Sequence, residues 1–102
     1  MKLKIRKHKL KTVKTIDGKV KRQFYTYTVS VRKWGLLWLD LKFYVCRKYR
    51  LCGRVDYIVN TEQEVLCRTC LSHKYATLFS EEADAIRVKL DIISHPDKYV
   101  SE

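Results

Sequence analysis

The cysteines and one histidine of this chain have a spacing that partly matches a zinc site. They form the pattern C-x5-C-x14-C-x2-C with a histidine three residues later, at Cys46, Cys52, Cys67, Cys70 and His73. Zinc takes four thiolate or imidazole ligands in a tetrahedron, and a C-x2-C turn commonly supplies two of them. The second cysteine pair fits this spacing, whereas the gap in the first pair is wider than usual. The pattern is compatible with zinc held by Cys52, Cys67, Cys70 and either Cys46 or His73; inert buried thiols and a disulfide or redox pair are the alternatives.

A run of basic residues opens the chain. The first 22 residues contain ten Lys and Arg against a single acid, Asp17. The basic positions are Lys2, Lys4, Arg6, Lys7, Lys9, Lys11, Lys14, Lys19, Lys21 and Arg22. On a β-strand, alternate side chains lie on one face about 6–7 Å apart, which is commensurate with the phosphate spacing of a nucleic-acid strand. We therefore expect nucleic acid to bind here through its phosphates, with Tyr25 stacking on an unpaired base. An acidic protein surface as partner, and a solvated edge whose lysines block aggregation, are the alternatives.

Trp34 and Trp38 lie with three leucines in an apolar segment, residues 34–39. If exposed, the two indoles form a patch that soluble monomers seldom leave uncovered, and hence an interaction surface. Core packing, or clamping of a helix onto the sheet, is the alternative. The concentration of positive charge in the first half of the chain would speed its encounter with an acidic protein surface. The tryptophan patch and this charge together support a second hypothesis, a protein-interaction module.

Motifs for catalysis are absent from the sequence. It contains no Walker loop, no G-x-G-x-x-G, no H-E-x-x-H, no G-x-S-x-G and no nucleophile paired with a base. The acids Glu81, Glu82 and Asp84 are interpreted as the first turn of a helix, where the helix dipole favours negative charge. We therefore expect a protein that is not an enzyme and has no cofactor besides zinc, if zinc binds.

Length and charge indicate one small domain with two electrically different halves. The chain has 102 residues, a net charge of +11 and 46% hydrophobic residues, which excludes wholesale disorder and a large cofactor-enclosing enzyme. Residues 1–50 hold 16 basic and two acidic side chains, whereas residues 51–102 hold six and nine. The sequence shows no secretory h-region, and its longest apolar run, residues 34–39, is far shorter than the roughly 20 residues that span a bilayer. We expect an intracellular protein with reduced thiols and no membrane partner.

Two β-hairpins and one C-terminal helix are expected to position these residues, in a single α+β domain with a small antiparallel sheet. The first hairpin covers residues 1–33, because Asp17-Gly18 is a favoured pair for a two-residue type I′ turn. This turn pairs Thr12 with Gln23 and His8 with Tyr27. The strand after the turn has two alternating sets, a core set of Tyr25, Tyr27, Val29 and Val31 and an opposite set of Phe24, Thr26, Thr28 and Ser30.

The remainder of the chain divides near residue 80. Residues 34–79 are predicted to hold a second hairpin, with strands at 40–49 and 55–59, and the cysteine-containing region. Within that region, 64–79 is predicted as a fifth strand or an extended loop. A helix over 80–95 begins at the cap Ser80 and ends at His95-Pro96. Its core stripe is expected to hold Ala83, Ile86, Leu90 and Ile93, widened by Ala85, Val88 and Ile92.

The order of these features resembles a loose group of small orphan proteins encoded by tailed bacteriophages, especially those of gut Bacteroidales. The shared features are the Lys-rich start, the Asp17-Gly18 hairpin, the tryptophans in the middle and the closing segment from Tyr75 to Ala83. The resemblance implies an accessory phage protein in the host cytoplasm or the virion: a virion or assembly subunit, a host-takeover factor, or an inhibitor of a host protein such as an anti-defence factor. It supplies no catalytic residue, and the four cysteines are not a feature of the group.

Overall fold

The computed structural model describes residues 2–33, 35, 37–44 and 55–101. Its strands are β1 (Leu3–Lys14), β2 (Val20–Lys33), β3 (Leu37–Tyr44), β4 (Val65–Cys70) and β5 (Tyr99–Ser101). Its helices are α1 (Val55–Asn60) and α2 (Glu82–Ser94), with 3-10 turns at His73–Tyr75 and Pro96–Lys98. The strands form one sheet in the order β1-β2-β3-β4-β5. Neighbouring strands are antiparallel except β4 and β5, which are parallel, so the sheet is mixed. The α+β class predicted from the sequence is confirmed.

Both helices pack on one face of the sheet, where alternate residues of the central strands form the core. The core residues are Val29, Val31, Leu41, Phe43 and Val65 of the sheet, Ile58 of α1, Ala85, Val88 and Ile92 of α2, and Phe79. The predicted burial of Val29 and Val31 is confirmed. Because side chains alternate along a strand, the intervening residues lie on the other side of the sheet. We call that side, which faces away from α1 and α2, the outer face.

Helix α2 turns only part of the expected stripe towards the core: the predicted burial of its widening set is confirmed, and that of its main set is wrong. The buried residues are Ala85, Val88 and Ile92, whereas Ile86, Leu90 and Ile93 are 40%, 55% and 59% exposed. Both sets recur at helical spacing, so periodicity alone does not choose between them. The helix ends where predicted, with His95 as C-cap. Its N-cap is Glu81 instead of the predicted Ser80, and the Glu81 side chain makes no capping bond.

The second predicted hairpin is wrong in its second strand. Residues 55–59 belong to helix α1. Val55, Ile58 and Val59 follow the i, i+3, i+4 spacing of a helix and all pack on the core, so packing prevails over the β-propensity of Val and Ile. Strand β3 pairs instead with β4, which comes from the segment whose structure the sequence left open. The predicted turn and the end of the predicted strand, within 45–54, lie outside the described residues.

The first hairpin closes with a three-residue loop, 16–18, in place of the predicted two-residue turn. The amide of Thr15 donates to the carbonyl of Lys19 at 2.8 Å, and the amide of Gly18 donates to the carbonyl of Thr15 at 2.9 Å. Gly18 has φ of 86°, the left-handed conformation that glycine adopts without a Cβ clash. This arrangement matches a turn followed by a glycine bulge, the next most common hairpin connection.

The strands of this hairpin change register along their length. Thr12 lies opposite Gln23 as predicted. An irregularity at Leu10 then shifts the pairing, so His8 lies opposite Thr26 and the predicted pairing with Tyr27 is wrong. A bulge of this kind leaves one residue unpaired and moves every later pair by one position.

Strands β2 and β3 diverge after their shared pairs, and the segment before α2 fills the gap. Phe79 forms an antiparallel bridge with Tyr27 of β2 through hydrogen bonds of 2.8 and 2.9 Å. The amide of Thr77 donates to the carbonyl of Leu41 at 3.1 Å, and its hydroxyl accepts from the amide of Phe43 at 2.9 Å. The segment is therefore fastened to both strands, and Phe79 reaches the core between them.

Candidate nucleic-acid interface

The outer face carries cations from four strands. The basic residues there are Lys4, Arg6, Arg32, Lys42 and Arg68. Asp40 lies among them and is the one acid in the five described strands. The two-ended charge of the sequence thus becomes two-sided in the fold, with a basic sheet and most of the described acids in the helices and connections.

Asp40 has its partners within the sheet, because it is only 2% exposed and surrounded by donors. Its Oδ1 accepts hydrogen bonds from the hydroxyls of Thr28, at 2.8 Å, and of Ser30, both fully buried. Nη1 of Arg6 lies 3.5 Å from the same oxygen. A buried carboxylate requires such donors to offset its lost hydration. The single acid of the strands is thereby compensated internally, and four cations of the outer face have no acidic partner among the described residues.

Two stacked imidazoles lie beside this network. The rings of His8 and His73 are nearly parallel, at 9°, with centroids 4.2 Å apart. Nε2 of His8 lies 2.9 Å from Oγ1 of Thr28, and because Thr28 donates its proton to Asp40, Nε2 is the donor in this contact. Burial, followed by the charges of His73 and Arg6, lowers the pKa of His8, while Asp40 opposes the shift. The pair therefore favours a neutral His8.

The distal part of the first hairpin projects from the body as an arm. Leu3 and Ile5 are the β1 residues that pack on the core, so the strand from Lys9 to Lys14 extends beyond it. Six residues of strand span about 20 Å, consistent with overall dimensions of 52 × 31 × 23 Å. The described residues at its tip, 14–19, are all exposed.

The predicted binding residues of the hairpin fall into three groups. Exposed side chains without an ion pair to any described residue belong to Lys2, Lys9, Lys14 and Lys19. Side chains with a partner inside the protein belong to Lys4, Arg6 and Lys7. The side chains of Lys11, Lys21 and Arg22 lie outside the described part of the structure. Four of the ten predicted cations thus stand unpaired in solvent.

Two aromatic rings of the candidate interface carry a lysine ammonium over one face. Nζ of Lys7 lies 4.0 Å from the ring centroid of Tyr25, and Nζ of Lys4 lies 4.2 Å from that of Trp38. Such cation–π contacts place positive charge beside a stacking surface. Trp38 lies on the outer face, away from both helices, so it does not clamp α2 onto the sheet. Trp34, the other member of the predicted patch, lies outside the described residues.

The structure does not bring the predicted C-x2-C pair to one site. Cys67 and Cys70 are three positions apart on β4, so their side chains lie on opposite faces of the sheet. Both thiols are free; burial raises the pKa of Cys67 to about 12 and also raises that of Cys70. Among the described residues, no group of three His, Cys, Asp or Glu side chains is placed to hold a metal ion. Cys46 and Cys52 lie outside the described residues, and zinc binding stays a prediction.

A groove on the outer face contains residues that the sequence analysis missed. It has a volume of about 460 Å³ and lies between β3, β4 and the segment after β4. Its lining includes Lys42, Tyr44, Arg68, Ser72 and Tyr75. These residues are scattered along the sequence, and only the pairing of β3 with β4 and the return of residues 71–75 bring them together. The alternation of Lys42 and Tyr44 with core residues on β3 was the one signal in the sequence.

No described helix is both long and apolar enough to cross a lipid bilayer. Comparisons of the chain with protein-family models, with curated proteins and with solved structures find no match.

Proposed function

We infer that the protein binds nucleic acid, with the basic arm and the adjoining outer face contacting the phosphate backbone. The observation that supports this inference is the charge of the sheet: the one acid of the described strands, Asp40, is buried and paired, while exposed cations extend from Lys14 on the arm to Arg68 on β4. Partly exposed rings, Tyr25 and Trp38, lie beside these cations. Cations with adjacent stacking surfaces are the combination that single-strand binding proteins use.

The binding is expected to depend strongly on salt. Each phosphate that a lysine or arginine neutralises releases a condensed counterion, so the logarithm of the binding constant falls linearly with the logarithm of salt concentration. The slope is about −0.9 per phosphate contact for duplex DNA and about −0.7 for single strands. Phosphate contacts position a protein without selecting a sequence, so we expect little base specificity from the arm itself.

The test is a titration of fluorescent oligonucleotides across salt concentrations with a variant lacking four unpaired cations. The substitutions are Lys2→Gln, Lys9→Gln, Lys14→Gln and Lys19→Gln. Loss of four phosphate contacts would reduce the slope by about 3 to 4. Lys89→Gln, which removes one cation from helix α2, is the control for loss of a positive charge away from the interface and should leave the slope unchanged. Absence of measurable binding by the unmodified protein at low salt would refute the proposed function.

A second candidate function, a protein-interaction module, is favoured by one observation on the helix side. Ile86, Leu90 and Ile93 form an exposed apolar stripe along α2. A stoichiometric protein partner recovered after nuclease treatment, and lost on Leu90→Ser, would favour this function over nucleic-acid binding. The bacteriophage affiliation and the host-cytoplasm or virion location stay predictions under either function.

A further inference from the structure

We propose that the groove between β3, β4 and residues 71–75 binds one nucleotide of a single-stranded nucleic acid, with Lys42 and Arg68 holding a phosphate and Tyr75 stacking on the base. The proposal deepens the proposed function and rests on it, since it names the form of nucleic acid and a specific subsite. Three observations support it: an uncompensated pair of like charges, an exposed ring on an anchored turn, and a groove of fitting size.

The first observation is a pair of like charges on neighbouring strands. Lys42 and Arg68 lie directly opposite each other in the antiparallel pairing of β3 with β4. The Cβ atoms of residues at such positions lie about 5 Å apart, and like charges there destabilise a sheet. Neither forms an ion pair with a described residue; Nζ of Lys42 lies 5.3 Å from the ring centroid of Tyr44. A phosphate between the two cations would relieve their repulsion.

Nearby acids do not compete for this position. The closest acid along β3 is Asp40, two residues from Lys42, and it is buried with Thr28, Ser30 and Arg6 as partners. The acids of α1 and α2 lie on the other side of the sheet. An anion at the groove would therefore meet two cations and no exposed carboxylate from the described strands.

The second observation is the position of Tyr75. Tyr75 is 70% exposed as a residue, although tyrosine usually buries much of its surface. The 3-10 turn that carries it is fixed by a hydrogen bond from the amide of Tyr75 to the carbonyl of Ser72, at 3.1 Å. Sγ of Cys70 lies 3.6 Å from the carbonyl of Tyr75, and Thr77 is bonded to β3. The ring is thus exposed on a turn anchored at both ends, which reduces the ordering cost of stacking.

The third observation is the size and composition of the groove. Its volume of about 460 Å³ falls within the range of sites for small ligands, and it combines two cations with two tyrosines. A base that remains paired and stacked in a duplex cannot also stack on a protein ring, so the Tyr75 contact requires an unpaired base. The geometry therefore favours a single strand over a duplex.

The experiment measures anisotropy of a fluorescent oligothymidylate of about 12 nucleotides and of a duplex of equal length. Tyr75→Ala should weaken binding of the single strand by about 5- to 150-fold, the effect of losing one base–aromatic stack, and should leave duplex binding nearly unchanged. Tyr57→Ala, which removes a similarly exposed tyrosine on α1, is the matched control. Lys42→Gln and Arg68→Gln should each reduce the salt slope for the single strand by about 0.7, and Lys89→Gln should not.

A second measurement reports on the like-charge pair without any nucleic-acid strand. In low salt, Arg68→Gln should raise the melting temperature, because it removes a repulsion. Thymidine monophosphate should raise the melting temperature of the unmodified protein more than that of Arg68→Gln. If inorganic phosphate gives the same shift as the nucleotide and Tyr75→Ala does not change it, the site is a phosphate site only and the nucleotide proposal is wrong.

The outcomes separate this proposal from the proposed function. If the variant with Lys2, Lys9, Lys14 and Lys19 changed to Gln loses binding while Tyr75→Ala and Arg68→Gln bind the single strand normally, the groove proposal fails and the proposed function stands. Equal loss of single-strand and duplex binding in Tyr75→Ala would also overturn the groove proposal. If the unmodified protein binds neither oligonucleotide, both fail.

Discussion

Replacing the buried carboxylate of the sheet tests the account of the outer face. Asp40→Ala would leave the hydroxyls of Thr28 and Ser30 buried without an acceptor and Arg6 without its acid. Each of the two stranded buried hydroxyls costs about 1–3 kcal/mol, whereas the Arg6 side chain is 40% exposed, can be solvated, and adds at most about 1 kcal/mol. We expect a loss of about 3–5 kcal/mol in the free energy of unfolding, a large part of the roughly 5–15 kcal/mol available to a domain.

Urea denaturation followed by circular dichroism measures this change, with two comparison variants. Asp40→Asn keeps an oxygen acceptor for the hydroxyls but loses the charge, so it should cost about 1–3 kcal/mol, less than alanine. Asp56→Ala removes an exposed carboxylate 3.2 Å from Arg87 and should cost at most about 1 kcal/mol. If Asp40→Ala costs no more than Asp56→Ala, the buried network is not what compensates the one acid of the strands, and the charge argument for the interface fails.

Two further predictions concern titration and thiol reactivity. The pKa of His8 is lowered from its ordinary value of 6.5, chiefly by burial, so its contribution to stability is present above 6.5 and is lost as pH falls through the lowered value. The melting temperature should therefore fall between about pH 7.5 and pH 5.5, and less so in His8→Gln; an unaltered pH dependence in His8→Gln would contradict this prediction. With its pKa raised to about 12 by burial, Cys67 should react with iodoacetamide at about pH 8 more slowly than Cys70; peptide mapping that finds Cys67 alkylated first would contradict its burial.

The sequence correctly predicted the elements that are marked by one clear local pattern. It failed for elements whose residues fit two patterns equally well. The Asp17-Gly18 pair correctly predicted a hairpin, and Pro96 correctly predicted the end of α2. The stripe predicted for α2 was half right, because two sets of apolar residues share helical spacing and only packing on the sheet decides which set is buried. The strand predicted at residues 55–59 was wrong. Val and Ile favour a strand, but their spacing here also allows a helix, and the helix covers the core.

The sequence predicted only the part of the candidate site whose residues are close together along the chain. Clustered lysines at the start of the chain identify the arm without any structure. The groove depends on Lys42 and Arg68, which are 26 positions apart and become neighbours only through the register of β3 with β4. Tyr75 gave no signal of its own, since its exposure follows from how residues 71–79 fasten to β2 and β3.

Strand β3 shows why a small domain of this kind can offer two distinct surfaces. Its odd-numbered residues Leu41 and Phe43 pack in the core. Its even-numbered residues lie on the outer face and do not pack against the helices. In an ordinary two-layer fold such an outer face is simply polar. Here it is strongly cationic, and like charges stand opposite each other at Lys42 and Arg68, an arrangement that lowers the stability of the free protein. Folding alone gives no reason for that arrangement, whereas binding of a phosphate would turn the repulsion into affinity, which is why the groove is the sharper test of function.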